Sequence, residues 1–266
     1  MPASDGKLLE LDADLALLRD AAGEAGRIAM RYFRRDPEVW MKVGDSPVTE
    51  ADLAVDRFLR DTLTAARPDH GWLSEETADD LSRLHARRTF VVDPIDGTRA
   101  FVDGRDTWCV SVAIVENGRP VAGVLDCPAL GEVYEATAGG GARMNGRPMA
   151  VSALRDDPVI GGPAWMTRAL PWDVRQRMRK LAHVPSLAYR LAMVADGRLD
   201  GTFIRPDSHD WDIAAAELML REAGGALVGQ DGATPPMATR NPRHGSMAAG
   251  SPHLVGQLLA ALRSLS

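Results

Sequence analysis

The stretch TFVVDPIDGTRAF, Thr89 to Phe101, sets two acids three residues apart directly behind a run of apolar residues. A short apolar run bounded by turn residues reads as a buried strand. The chain must therefore bring Asp93 and Asp96 to the end of an element otherwise shielded from water, with Pro94 and Gly97 read as fixing a turn there. One acid after a strand is ordinary turn chemistry. Two, followed by Gly-Thr, mark a site.

The elements around this stretch are readable from spacing. Leu8 to Phe33 carries Leu11, Leu15, Leu18, Ala22, Ala25 and Ala29 at helical intervals. WMKVGDSPVT, Trp40 to Thr49, reads as a short hairpin or irregular loop. Thr49 caps a second helix whose first turn holds Glu50 and Asp52 and whose buried stripe is Val55, Phe58, Leu59 and Leu63. A strand-rich middle follows. WLSEE and TFVVD are extended pieces, WCVSVAIVENGRPVAGVLDCP is a hairpin turning at Asn117-Gly118, and GEVYEAT continues a meandering antiparallel sheet. Beyond about residue 155, helices alternate with short strands. PVIGG, LDGTFI and ALVG are strands; PWDVRQRMRKLA (Pro171 at its start), SLAYRLAMVADG, DWDIAAAELMLREAGG and SPHLVGQLLAALRSL are helices. The rhythm implies two parts, residues 1–154 as an α+β half with an antiparallel sheet and 155–266 as an α/β half. The Gly-rich AGGGA, Ala138 to Ala142, precedes no helix and is not a dinucleotide fingerprint.

Composition narrows the function classes. Of 266 residues, 45% are apolar and 26% charged, the balance of an ordinary soluble domain, and a net charge of -6 disfavours a nucleic-acid partner. No run approaches the ~18 apolar residues of a membrane span, and the acidic N-terminus lacks the features of a secretory signal, so a cytoplasmic protein is expected. Cys109 and Cys127 are read as small buried groups; a disulfide is permitted but not implied. The tryptophans Trp40, Trp72, Trp108, Trp165 and Trp172 are read as packing residues, unless one at a pocket mouth stacks on a base. His209 is read as a solvated loop residue, with substrate contact as the other reading.

Three acidic clusters end apolar elements: Glu75-Glu76, the pair Asp93 and Asp96, and Asp212 at the head of DIAAAELML. Each alone reads as a solvated loop, a turn or a helix N-terminal acid. Together they mean more. Carboxylates brought to ~4 Å repel by about 4 kcal/mol at an effective dielectric of 20, so a cavity holding several must bind protons or cations. No His sits in a metal-binding spacing, and oxygen-only ligands favour a hard ion, Mg²⁺ before Zn²⁺. Gly97 and Thr98 offer backbone N–H groups to an anion.

DPIDGT, preceded by SEE and followed by WDIAAAE, resembles the inositol monophosphatase superfamily of Mg²⁺-dependent, lithium-sensitive phosphatases. The matching residues are Asp52 in SPVTEADLAVD, Glu75-Glu76, Asp93 to Thr98, and Trp211 to Ala215. The resemblance implies a layered αβαβα sandwich, an α+β or α/β fold, and a homodimer. It implies that Glu75, Asp93 and the carbonyl of Ile95 hold one Mg²⁺, and that Asp93, Asp96 and Asp212 hold a second, with a third, weaker ion near Glu75 and Li⁺ as inhibitor. Glu75 and Thr98 would orient the attacking water, Asp52 would support Thr98, and Gly97 and Thr98 would hold the phosphate of a small phosphorylated metabolite.

Substrate signals diverge. Inositol-specific members carry an acid shortly before Trp-Asp, and here Arg205 stands about there, with Asp207 and Asp210 as the nearest acids that could compensate. An Arg suits a second anionic group. GDSPVTEAD, LSEE and GRPVAGVLDCPALGEVYEA resemble the 3'(2'),5'-bisphosphate nucleotidase branch, whereas DGTRAF is similar to histidinol-phosphate phosphatases. The lead expectation is a bisphosphate nucleotide such as 3'-phosphoadenosine 5'-phosphate, with Arg205 and Ser186 in the substrate pocket. The alternatives are inositol phosphate or histidinol phosphate, and, in another class, a regulatory binding protein of the transcription or RNA-processing machinery.

Overall fold

The apolar run that opens the sequence argument becomes a strand buried along its whole length, and the other layers are built on it. In a computed structural model, residues 2–41, 47–153 and 155–265 are described. The chain begins with α1 (Pro2–Met30), six residues earlier than apolar spacing predicts, then a hairpin of β1 (Val39–Met41) and β2 (Pro47–Thr49). The turn of that hairpin, residues 42–46, lies outside the described residues. Next come α2 (Glu50–Ala66), β3 (Gly71–Ser74), β4 (Arg88–Asp96), α3 (Thr98–Val102), β5 (Cys109–Glu116), β6 (Arg119–Cys127), β7 (Glu132–Thr137), β8 (Gly141–Met144) and β9 (Arg147–Pro148). These strands form a sheet in simple order from β3 to β9, antiparallel except for the parallel pair β3–β4. Asn117 and Gly118 both take positive φ at the β5–β6 turn, as a tight hairpin of that hand requires.

The later chain runs β10 (Val159–Gly161), α4 (Ala164–Thr167), α5 (Trp172–Arg177), β11 (Arg179–Lys180), α6 (Leu187–Ala195), β12 (Gly201–Ile204), β13 (Ser208–His209), α7 (Asp210–Glu222), β14 (Ala226–Gly229), β15 (Arg243–His244), β16 (Met247–Gly250) and α8 (Val255–Arg263). A second sheet has the order β11-β10-β12-β16-β14. It is mixed: β10 is parallel to both its neighbours, while β16 is antiparallel to β12 and β14. The helix expected over PWDVRQRMRKLA stops at Arg177, because Met178 turns extended and the next two residues pair with the free edge of β10.

Strand alternation sorts the apolar side chains into three cores. Phe90, Val92, Val110, Val112 and Ile114 meet α1 and α2 on the outer face of the large sheet. Val91, Cys109, Ala113, Leu125 and Tyr134 face inward onto α6 and α7, whose other sides meet Ile204, Leu227 and Met247 of the small sheet. Phe203 and Ala248 point the opposite way, against α8. The result is the expected αβαβα order, with α6 and α7 as the filling. Trp108 packs fully buried in the outer core and Trp72 lies against it, but Trp40, Trp165 and Trp172 are exposed, unlike packing residues. Both cysteines are buried free thiols.

The filling layer approaches the large sheet closely where small residues meet. A Cβ on Gly123 of β6 would stand 3.1 Å from the Ala215 backbone of α7. Gly123→Val is therefore expected to destabilise by about 1–3 kcal/mol through overpacking, read as a lower Tm. Gly256→Ala, in α8 with open space around it, is expected to hold or raise Tm, since Ala is the better helix former.

Candidate active site

In a regular strand, residues three apart face opposite sides. Asp93 and Asp96 escape that rule through a bulge. Asp93 lies opposite Ser111 and Asp96 opposite Cys109, so three steps on β4 match two on β5. The extra residue turns both carboxylates toward the central layer, while the Ile95 side chain enters the outer core. Pro94, which has no N–H to give the ladder, falls inside the irregularity. The expected tight turn is thus a bulged strand that continues through Asp96 and ends at Gly97, whose φ of +94° and whose closeness to Ser186 leave no room for a Cβ. Asp93 Oδ1 accepts from the Ile95 N–H at 3.0 Å.

The remaining acids are fixed by other elements. Asp96 Oδ2 accepts from Ser186 Oγ at 2.5 Å and Ala188 N at 2.6 Å, and its Oδ1 accepts from Leu187 N at 3.2 Å. These donors are the N-cap and first turn of α6. Asp212, in the first turn of α7, accepts from the His209 N–H at 2.6 Å. Asp52, in the first turn of α2, accepts from Thr49 N and Oγ1 at 2.8 and 2.6 Å. Its other oxygen lies 3.3 Å from Thr98 Oγ1, a hydroxyl also 3.1 Å from the Ile95 carbonyl.

The acids converge. One carboxylate oxygen from each of Asp93, Asp96 and Asp212 lies within 4.8 Å of the others. They open onto a cavity of about 590 Å³ that Glu75, Gly97, Thr98 and Arg205 also line. Ile95 is not on its wall. Burial, then the charges of Glu75, Asp96 and Asp212, push the Asp93 carboxyl well above the usual carboxylate range. Burial and the Asp96 charge do the same to Asp212. Asp96 rises only to about 6, because the donors from Ser186, Ala188 and Leu187 oppose its burial. Acids strained in this way, with no nitrogen or sulfur donor among the three, fit a hard divalent cation.

Several placements differ from the sequence reading. Ser186, expected in the substrate pocket, is fully buried behind Asp96 and caps α6 through the Tyr189 N–H. Asp210 is also fully buried and accepts from Ala238 N at 2.8 Å, with His244 Nε2 at 2.7 Å, so it does not face the cavity. Asp207 lines the cavity and pairs with Arg243 at 2.6 Å. His209 is half-buried and stacks on Trp211, with ring centroids 4.5 Å apart. Two lining residues had weak sequence signals. Arg190 is the one cation in the apolar run LAYRLAMVA, and Trp165 lies 44% exposed at the cavity edge. Arg190 donates long bonds to the carbonyls of Val184 and Phe203, at 3.3 and 3.5 Å. Its Nε is buried without a partner, and among the described residues no carboxylate lies within 4.0 Å of it.

A family model described as the inositol monophosphatase family matches residues 10–266. An inositol monophosphatase from Dictyostelium discoideum is 32% identical over 264 residues, 94% of this chain and 95% of that protein. A histidinol-phosphatase from Chlorobaculum parvum is 35% identical over 228 residues, 80% of this chain and 84% of that protein. The solved structure of the extragenic suppressor protein suhB from Bartonella henselae superposes with a TM-score of 0.82 at 31% identity, covering 94% of this chain and 98% of that one.

The raised carboxyls fix a sign for the pH dependence. The folded, metal-free protein keeps protons that the unfolded chain releases near pH 4, so its stability falls as pH rises through about 6. A cation that replaces those protons binds better as pH rises. The expected result is a gap in Tm, between chelator and saturating divalent cation, that is larger at pH 8 than at pH 5. A gap independent of pH would count against this cluster as the metal site.

Proposed function

The chain belongs to the inositol monophosphatase family, and on that premise we propose that it is a Mg²⁺-dependent phosphomonoesterase acting on a small metabolite that carries a second anionic group and a planar ring, with 3'-phosphoadenosine 5'-phosphate as the lead substrate. Asp93, Asp96, Asp212 and Glu75 would hold the ions. When bound, these supply Lewis-acid polarisation of the phosphoryl group and a more acidic water.

The protein's own residues do the rest. Thr98, with Asp52 behind it, presents its hydroxyl to the attacking water. Glu75 on the same cavity is a second acceptor for that water's protons. Gly97, on the cavity wall at the head of α3, would offer its backbone to the phosphate.

The observation that carries the substrate class is the pair Arg190 and Arg205 on the cavity wall. Arg205 lines the cavity and stands in sequence about where inositol-specific relatives carry a sugar-binding acid, and its charge favours the ionised form of Asp212. Arg190 adds a buried guanidinium with an unpartnered Nε. Such a wall suits a second phosphate and opposes the ammonium group of histidinol phosphate. Trp165 at the edge offers a face to a planar base.

Initial rates of phosphate release with Mg²⁺, and with Mg²⁺ plus Li⁺, test this on 3'-phosphoadenosine 5'-phosphate, inositol 1-phosphate and histidinol phosphate. The adenosine bisphosphate is expected to lead in kcat/KM. Arg205→Ala is expected to lower its kcat/KM by roughly 10–100-fold, the weight of a charge-assisted hydrogen bond, and to change the rate on inositol 1-phosphate by less than about 3-fold. A preference for inositol or histidinol phosphate overturns the substrate. Release from none of them would favour the regulatory binding protein.

A further inference from the structure

Asp56 lies one turn after Asp52 on the buried face of α2 and is itself buried. It lines no part of the cavity wall. Its two oxygens are nonetheless both engaged, and on one short segment. Oδ1 accepts from Ser74 Oγ at 2.5 Å and Oδ2 from Thr77 Oγ1 at 2.7 Å. Those hydroxyls flank Glu75 and Glu76, and Ser74 Oγ accepts in turn from the Glu76 N–H at 3.3 Å. The Glu75 N–H donates to the Val92 carbonyl at 3.3 Å, which ties the same segment to the strand bearing Asp93. β3 ends at Ser74, so that bond from Glu75 is the last backbone tie to β4 that this segment makes among the described residues.

We propose that Asp56 is a positioning residue for Glu75: its carboxylate grips the residues on either side of the Glu75-Glu76 pair and sets the direction in which Glu75 enters the metal cavity. Two acids at i and i+4 on one helix then organise two parts of the site, Asp52 holding Thr98 and Asp56 holding the Glu75 segment. A carboxylate is the side chain for this task. Its two oxygens accept from both hydroxyls at once, whereas Asn keeps one acceptor and must turn a donor toward the other. Partners that orient a metal ligand typically change metal affinity by about 10–100-fold when removed. The inference rests on the metal-dependent reading above.

Isothermal titration calorimetry of Mg²⁺ and Mn²⁺ into the chelator-stripped chain tests it, alongside metal-activation curves for phosphate release. Asp56→Asn is expected to weaken metal binding about 10–100-fold, with kcat at saturating metal within about 3-fold of wild type. Ser74→Ala and Thr77→Val, each removing one arm, are expected to weaken it by smaller factors, and their effects should largely vanish in the Asp56→Asn background. These two variants also serve if Asp56→Asn fails to fold. Unchanged metal affinity with a lowered Tm would overturn the proposal and make Asp56 a structural tie only. A wild-type chain that takes up no divalent cation would instead overturn the metal-dependent reading itself.

Discussion

The mutual repulsion of Asp93, Asp96 and Asp212 is the constraint to which the rest of the architecture answers. Their oxygens meet within 4.8 Å in a buried place, and bare anions there would drive the elements carrying them apart. Each is held by donors from a separate layer or turn. Asp96 lies at the N-terminus of α6, where backbone N–H groups and the positive end of the helix dipole stabilise an anion. Asp212 occupies the first turn of α7 and closes a hydrogen bond on the residue before it. Two helices of the central layer thus point the same electrostatic end at one cluster. Sandwiching them between two sheets fixes that direction, so the αβαβα order is a means of aiming dipoles as well as of burying apolar area.

Much of this was legible in the chain itself. The apolar run before Asp93, the Asn117-Gly118 hairpin and the helix headed by Asp212 are local patterns, each with a local cause; charge arithmetic and oxygen-only chemistry said what the acids at their ends would need if they met, and that they meet was implied by the family resemblance of DPIDGT and WDIAAAE. The bulge was not legible. Whether Asp93 and Asp96 share a face depends on how β4 pairs with β5, a relation between distant residues that no window contains. β16 escaped notice for a different reason. Met-Ala-Ala-Gly has no β-branched residue, yet small residues are what the center of that sheet needs, because Cβ atoms on Gly201 or Gly250 would press on Leu258 of α8. The early end of α5 is a case of tertiary pairing overruling a good helical pattern. Ser186 and Asp56 share a further obscurity. Each acts by what its side chain holds, and that depends on contacts with residues 90 and 18 positions away.

The cavity divides by charge. Its acids would hold cations, and Arg190 and Arg205 stand on the wall beside them. In the metal-free protein the two sets compensate only in part, because burial pushes Asp93 and Asp212 toward their protonated forms. The Asp96 charge supports the Arg190 guanidinium against burial, and Arg205 supports the ionised form of Asp212.

Cations bound among the carboxylates would change that balance. Two divalent ions would carry more positive charge than the protons they replace on Asp93 and Asp212, so the wall beside Arg190 and Arg205 would present a stronger positive field to the second anionic group of the proposed substrate. A chain of net charge -6 repels anions at long range, so a substrate with two anionic groups, as proposed, would depend on that local field. On the proposed function, metal loading and recognition of a doubly anionic substrate would be coupled through these charges, and by linkage the coupling would act equally in both directions.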